Sequence, residues 1–158
     1  MKRALGLVIA ALMLTGTTAF AGKMEDEEFN DPDGAIGVLT SGTEDQRENA
    51  AEYLGEIKHA PATQHLLKAL NDPSDDVREE AARALGKIKA KEAVDALIGK
   101  LDEDSSGVRA AAAEALARIG DPKAIEPIKR QLASEKNPIN QIRIRNALEQ
   151  LQATAPVK

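Results

Sequence analysis

Histidine, the commonest metal ligand and a frequent general base, occurs only twice in this sequence, and cysteine does not occur. A catalytic metal ordinarily takes three protein ligands in a defined geometry, so His59 and His65 are too few for such a site. Without cysteine, thiolate ligands, cysteine nucleophiles and disulfides are excluded as well. We therefore predict no metal and no cofactor.

A second candidate imitates the opening of an EF-hand calcium loop with Asp102, Asp104, Ser106 and Gly107. The twelfth position of that loop must supply a bidentate glutamate, but here it is Ala113. Glu114 comes one residue too late. The run is therefore not expected to bind calcium.

Arginine recurs at Arg47, Arg78 and Arg109, and the second and third of these follow runs of carboxylates. A catalytic role would require a nucleophile or a base that recurs beside them, and none does. The chain also lacks a glycine-rich phosphate loop and a G-x-S-x-G elbow. We predict no catalytic residue and assign the arginines to bonds with acids or carbonyls between structural units.

The composition is that of one soluble domain, with 158 residues of which 42% are hydrophobic and 30% are charged. Aromatic residues make up 2% of the chain, which removes the stacking platforms that single-stranded nucleic acids need. These values exclude a multidomain enzyme, although they leave enough apolar side chains for a core.

The first 21 residues have the pattern of a bacterial secretory signal. Lys2 and Arg3 precede an apolar stretch, and Ala19 and Ala21 occupy the positions that signal peptidase recognises. The apolar stretch is shorter than the roughly 20 residues of a membrane-spanning helix. We predict cleavage after Ala21, no stable membrane anchor after cleavage, and a periplasmic or secreted protein; retention of the segment as an anchor is the alternative.

The chain without this segment is acidic. Removing Lys2 and Arg3 leaves 19 basic against 26 acidic residues, a net charge of −7. Acidic side chains crowd residues 25–33, so we assign residues 22–31 to an acidic flexible segment. The charge argues against nucleic acid as a partner.

Internal periodicity determines the predicted fold, because apolar positions recur every 31 residues. Four columns share this interval: Leu54, Leu85 and Leu116; Ile57, Ile88 and Ile119; Leu66, Leu97 and Ile128; Leu70, Leu101 and Leu132. Alanine pairs begin at Ala50, Ala81 and Ala112 in the same register.

Within each unit the apolar spacing predicts two amphipathic helices, which form a hairpin. No hairpin can bury its apolar stripe alone, so the units must stack into an all-α superhelix, a solenoid of about three hairpins with half-unit caps. We predict hairpins at 43–70, 71–101 and 102–132, a cap at 32–40 and a last helix near 138–152, within a repeat domain of residues 32–152 and before a disordered tail at 153–158. Asp72-Pro73 and Asp121-Pro122 have the pattern of helix starts, and Pro127 predicts a late start or a kink.

The stretch DDVREEAARALGKIKAKEAVDALIGKL and its echo SGVRAAAAEALARIGDPKAIEPIKRQL resemble the short HEAT-like repeats of the phycobilisome-lyase type. The resemblance covers about residues 43–132 and implies a helical-hairpin scaffold. Two residues depart from the repeat pattern. Gln46 stands where the next two units have valine, and Gln141 stands in the column of the recurrent arginines. Some HEAT-like proteins, including deoxyhypusine hydroxylase, bind two irons through His-Glu pairs, but here Ala60 and Leu66 follow the histidines.

The resemblance implies that second helices line the concave face, which makes their intervening positions the predicted partner-binding residues. These are Gln64, His65, Lys68, Asp95, Lys100, Glu126, Arg130 and Gln131. Their mixed charges suit a protein or an extended peptide. Alternatives are an ordinary solvated face, weak self-association, or an enzyme or enzyme accessory of the same repeat family.

Overall fold

The computed structural model describes residues 31–154, which fold into eight α-helices without a strand. The helices are Pro32–Ser41 (α1), Glu44–Glu56 (α2), Thr63–Ala69 (α3), Asp75–Ile88 (α4), Val94–Gly99 (α5), Ser106–Ile119 (α6), Ile125–Ser134 (α7) and Pro138–Thr154 (α8). The predicted all-α class is confirmed. The predicted signal segment, most of the acidic segment and residues 155–158 of the tail lie outside the described residues.

The first helices of successive units, α2, α4, α6 and α8, pack directly on one another. The leucine column that predicted them, Leu54, Leu85 and Leu116, is fully buried. Small residues let these helices approach closely: a Cβ added at Gly86 would lie 2.7 Å from the Cα of Ala115. The close layer of first helices is therefore the core on which the repeat depends.

Every second helix begins with one turn of 3-10 helix, at Ala60–Ala62, Lys91–Ala93 and Pro122–Ala124. The late start predicted from Pro127 thus occurs in all three units and does not depend on that proline. Pro127 lies in the first turn of α7, where a backbone N–H lacks a helical acceptor, so the helix continues to Ser134 without a break.

The predicted helix starts are half right. Asp121 accepts a bond from the backbone N–H of Lys123 and Pro122 follows it, as expected. The N-cap of α4 is Ser74, however, because the carboxylate of Asp72 binds Arg47 and the backbone N–H of Ser74. Asp72, which follows α3, therefore connects α2 of the first unit to the loop that precedes α4.

None of the helices in residues 31–154 combines the length and the apolar character that crossing a membrane requires.

Candidate partner-binding surface

The recurrent arginines connect the two ends of each unit. Arg47 donates through Nε and Nη2 to both carboxylate oxygens of Asp72 at 2.7 Å, and through Nη1 to the carbonyl of Gly42 at 2.9 Å. Arg109 binds both oxygens of Glu135 at 2.9 Å, 26 residues away. Each bidentate pair fixes the loop before a first helix to the loop after the second helix of the same unit.

Arg78 occupies the same position of the repeat, but the equivalent acid, Glu103, lies farther from its guanidinium. Its Nη1 donates to the carbonyls of Asp72 and Pro73 at 2.8 and 3.1 Å, and it pairs with Asp75. Its Nε lies 3.7 Å from Glu103 and makes no hydrogen bond. The arginines therefore bond acids and carbonyls, as their recurrence predicted, and join the loops at the two ends of a unit.

The acids of these pairs are held in the ionised form. The Arg109 guanidinium lowers the pKa of Glu135 to about 2, against the effect of burial and with help from the backbone N–H of Asn137. Burial is the largest single effect on Asp72 and opposes its ionisation, but the Arg47 bond, the backbone N–H of Ser74 and the charges of Arg47 and Arg78 together lower its pKa. Lys100 lowers the pKa of Glu103.

Five of the eight predicted partner-binding residues are exposed: Gln64, Lys68, Asp95, Glu126 and Arg130. Together with Gly99 we call them the second-helix surface. They form two columns with the 31-residue interval. One column contains an amide and two acids, Gln64, Asp95 and Glu126; the other contains two bases on either side of a glycine, Lys68, Gly99 and Arg130. A Cβ added at Gly99 would meet no atom within 4 Å, so the middle of the surface is open.

Two of the predicted residues do not belong to a free surface. The Lys100 side chain is 15% exposed and its Nζ donates to Glu103 at 2.6 Å. Gln131 is 5% exposed, and its Nε2 donates to Glu135 at 3.2 Å. Both occupy the same column of the repeat as Ala69, which is buried. They follow the exposed column of Lys68 and Arg130 by one residue, and one residue along a helix rotates a side chain by about 100°, here toward the core.

The cations of the second-helix surface differ from its acids in having no ion partner among residues 31–154. Asp95 pairs with Lys123, and Glu126 pairs with Lys129 at 2.7 Å. Lys68 and Arg130 make no side-chain bond within the described part of the chain, so a partner would not have to break an existing pair to reach them.

The two histidines are half-buried, and His59 Nε2 and His65 Nδ1 make no hydrogen bond. No group of three potential metal ligands occurs among residues 31–154. The EF-hand-like run ends in helix rather than in a loop, because α6 begins at Ser106 and Val108 is fully buried. His65 adjoins the second-helix surface without being one of its exposed members.

Comparison with known families identifies the repeat. A family model described as HEAT repeats matches residues 63–149, and a model of the PBS lyase HEAT-like repeat matches residues 46–72. No curated protein was found to match the chain.

Solved structures share the fold. One is the complex of CpcE and CpcF of phycocyanin lyase from Nostoc sp. PCC7120, with a TM-score of 0.60 and 24% identity over 87% of this chain and 71% of that chain. Another is an engineered protein, with a TM-score of 0.58 and 26% identity over 78% of this chain and 63% of that chain.

Proposed function

Because the chain belongs to the HEAT repeat family, we propose that it is a non-catalytic scaffold that binds a protein or an extended peptide through the second-helix surface. The observation that carries the proposal is the pair of cations, Lys68 and Arg130, that have no ion partner among residues 31–154 and occupy exposed positions of helices two units apart. The structure from Nostoc is itself a complex of two proteins, CpcE and CpcF, which supports a protein as the partner.

The charge pattern indicates the chemistry of that partner. Successive first helices pack about 8–10 Å apart and set the spacing of the units, so the two cations, which lie two units apart, are separated by roughly 20 Å. An extended peptide of about six residues spans that distance at about 3.3 Å per residue. A segment with carboxylates near both ends and uncharged polar groups at its middle would match Lys68, the open Gly99 position and Arg130.

The test is charge reversal of the two cations. Lys68→Glu combined with Arg130→Glu should strongly reduce the amount of partner recovered by affinity capture, because opposite charges set encounter and specificity at an exposed surface. The melting temperature should not change, since neither side chain is bonded in the described part of the chain. The matched control is Lys136→Glu with Arg145→Glu, which changes the net charge equally at exposed positions of the last loop and α8.

Two results would contradict the proposal. One is equal capture of the partner by the reversed and wild-type chains at low salt. The other is turnover of a substrate by the isolated chain, which would favour the alternative, an enzyme or enzyme accessory.

We place this scaffold outside the bacterial cytoplasm, in the periplasm or secreted, on the basis of the predicted signal in residues 1–21. The mature chain would then begin at Gly22. Mass spectrometry of material from the periplasm or the medium should find this N-terminus, and an intact Met1 would contradict it.

A further inference from the structure

A groove separate from the second-helix surface crosses the C-terminal ends of the first helices. It encloses about 390 Å³, and Gly55 and Gly86 lie in its wall, where they allow close contact between neighbouring helices. Its basic residues are Lys58, Lys87, Lys89 and Arg118, against one acid, Glu56. We call it the basic groove.

Most of the positive charge in the basic groove is not neutralised by side chains of residues 31–154. Lys87 pairs with Glu56 at 2.7 Å and lies 3.6 Å from Glu80. Lys58, Lys89 and Arg118 make no side-chain bond within residues 31–154. The Lys87 bond lowers the pKa of Glu56, and Lys58 and Arg118 add to that effect, so one carboxylate already experiences several cations.

Two of these lysines adopt a backbone conformation that a side chain disfavours. Lys58 and Lys89 have φ of 53° and 59°, whereas the equivalent position of the third unit is Gly120, with φ of 82°. Glycine is the usual residue at such a helix end because it has no Cβ to clash. Two units thus carry a cation at the groove where the third carries the glycine that relieves the strain, which favours a role for the cations in binding.

The chain itself contains a segment of complementary charge that leads to this end of the molecule. Residues 25–28 are Glu-Asp-Glu-Glu, and we call them the acidic tetrad. Gly42 and Thr43 alone join α1 to α2, so the two helices form an antiparallel pair. At 1.5 Å per residue, the ten residues of α1 place Asp31 level with the last turn of α2, about one turn from Lys58.

The length of the segment also fits. Six residues separate Asp31 from Glu25, and an extended chain of that length spans about 20 Å. Consecutive first helices pack about 8–10 Å apart, so such a chain can pass from α2 across α4 to α6. We infer that the acidic tetrad of the same chain binds in the basic groove, with its carboxylates on Lys58, Lys89 and Arg118.

The experiment uses the chain from Gly22 to its last residue. The sequence has no cysteine, so Met24→Cys introduces a single site for a nitroxide spin label. Paramagnetic broadening of backbone amide signals should then be strongest at Gly55, Gly86 and Gly120. It should fall as salt rises to about 1 M, where the Debye length is about 3 Å.

A groove variant and a tetrad variant test the assignment from both sides, with a third variant as the charge control. Lys58→Gly with Lys89→Gly should abolish the broadening in the groove without lowering the melting temperature, because glycine suits both backbone positions. Lys136→Gln with Arg145→Gln removes the same charge elsewhere and should leave the broadening unchanged. Glu25→Gln, Asp26→Asn, Glu27→Gln and Glu28→Gln together should abolish it.

Other occupants give different results. Broadening that appears when spin-labelled chain is mixed with unlabelled, isotope-enriched chain would show that the tetrad of a second copy binds, and would overturn binding within one chain. Broadening that is equal in wild type and in the Lys58→Gly, Lys89→Gly variant would show that the basic groove is not the site.

Discussion

The side chain of Glu135 is fully buried, yet it carries a negative charge that four hydrogen bonds stabilise. Two come from Arg109, and the others come from Gln131 Nε2 and the backbone N–H of Asn137. This concentration of donors at one carboxylate fixes the start of α8 to the start of α6. One carboxylate thus links α8 to the preceding unit, in addition to the packing of α8 on α6 and α7.

Acid should therefore weaken the fold through Glu135. Its pKa is about 2 in the folded chain and 4.5 in the absence of its neighbours, so the unfolded state binds the proton more readily. The stabilisation is complete above about pH 5 and disappears as the pH falls toward 2, a loss on the order of 3 kcal/mol. Urea unfolding between pH 7 and pH 2 measures this directly.

Glu135→Gln removes the titrating group and serves as the comparison. We expect this variant to be less stable than wild type at pH 7 and to lose less stability on acidification. Asp72 and Glu103 have lowered pKa values too, so a smaller acid dependence should remain. Equal acid dependence in Glu135→Gln and wild type would show that another carboxylate is responsible; Glu149→Gln, at an exposed position, is the matched control.

At the residue level, the sequence allowed the arginines to be assigned correctly but not all of their partners. Glu135 was not identified as an Arg109 partner because one inserted residue moves it out of the 31-residue register in which Asp72 and Glu103 lie. The prediction that Lys100 and Gln131 lie on a free surface is wrong, because each long side chain reaches a nearby acid and is covered there. Charge and polarity alone are poor guides to the burial of such side chains. The basic groove was missed, although Lys58 and Lys89 share a column, as do Lys87 and Arg118.

Among the elements, the close packing of first helices depends on residues without bulk. Gly55 and Gly86 face alanines of the next unit, and the third unit has Ala117, 2% exposed, at the same position. The layer therefore leaves no room for larger side chains. The distance between neighbouring helices is set by these contacts.

Gly86→Ala should accordingly destabilise the chain, although alanine is the better helix former. The added Cβ would lie 2.7 Å from Cα and 2.9 Å from Cβ of Ala115, so α4 and α6 must separate. We expect a loss of about 1–3 kcal/mol in the free energy of unfolding, the usual cost of overpacking. Gly99→Ala is the control: its Cβ meets no atom within 4 Å in α5, so the change should be neutral or stabilise by about 0.4–1 kcal/mol.

If Gly86→Ala and Gly99→Ala both stabilised the chain, helix propensity alone would determine their effect on stability. The close contact between α4 and α6 would then be contradicted.

The helix positions themselves were predictable, because a repeated apolar column determines where each buried face lies. The 3-10 turns were not predicted, although Ala62, Ala93 and Ala124 form another 31-residue column and are fully buried. A single small residue per turn produces too weak a periodic signal to indicate which type of helix contains it.

Considered as a whole molecule, the described part of the solenoid packs mainly between neighbouring units; one longer-range contact is the ion pair of Arg143 in α8 with Glu79 in α4, at 3.8 Å. Each first helix packs mainly on the one before and the one after it, and α8 has a neighbour on one side only within the described residues. Ile139 and Ile142 of α8 are 70% and 56% exposed, so this face of α8 is not covered by another unit within the described residues. Stability should therefore depend on position along the stack.

Leu85→Ala and Leu148→Ala test this dependence, because the two leucines occupy equivalent columns in α4 and α8. Leu85 is fully buried between two units, so its truncation leaves a cavity and should cost about 2–5 kcal/mol. Leu148 is only partly buried, and the same change should cost less. Chemical denaturation gives both values. Amide hydrogen exchange adds a second criterion: Leu148→Ala should accelerate exchange in α8 and leave α4 protected, whereas Leu85→Ala should affect α2, α4 and α6 together. Equal losses at the two positions, with exchange raised uniformly, would mean that the chain unfolds as one unit in which position along the stack has no influence.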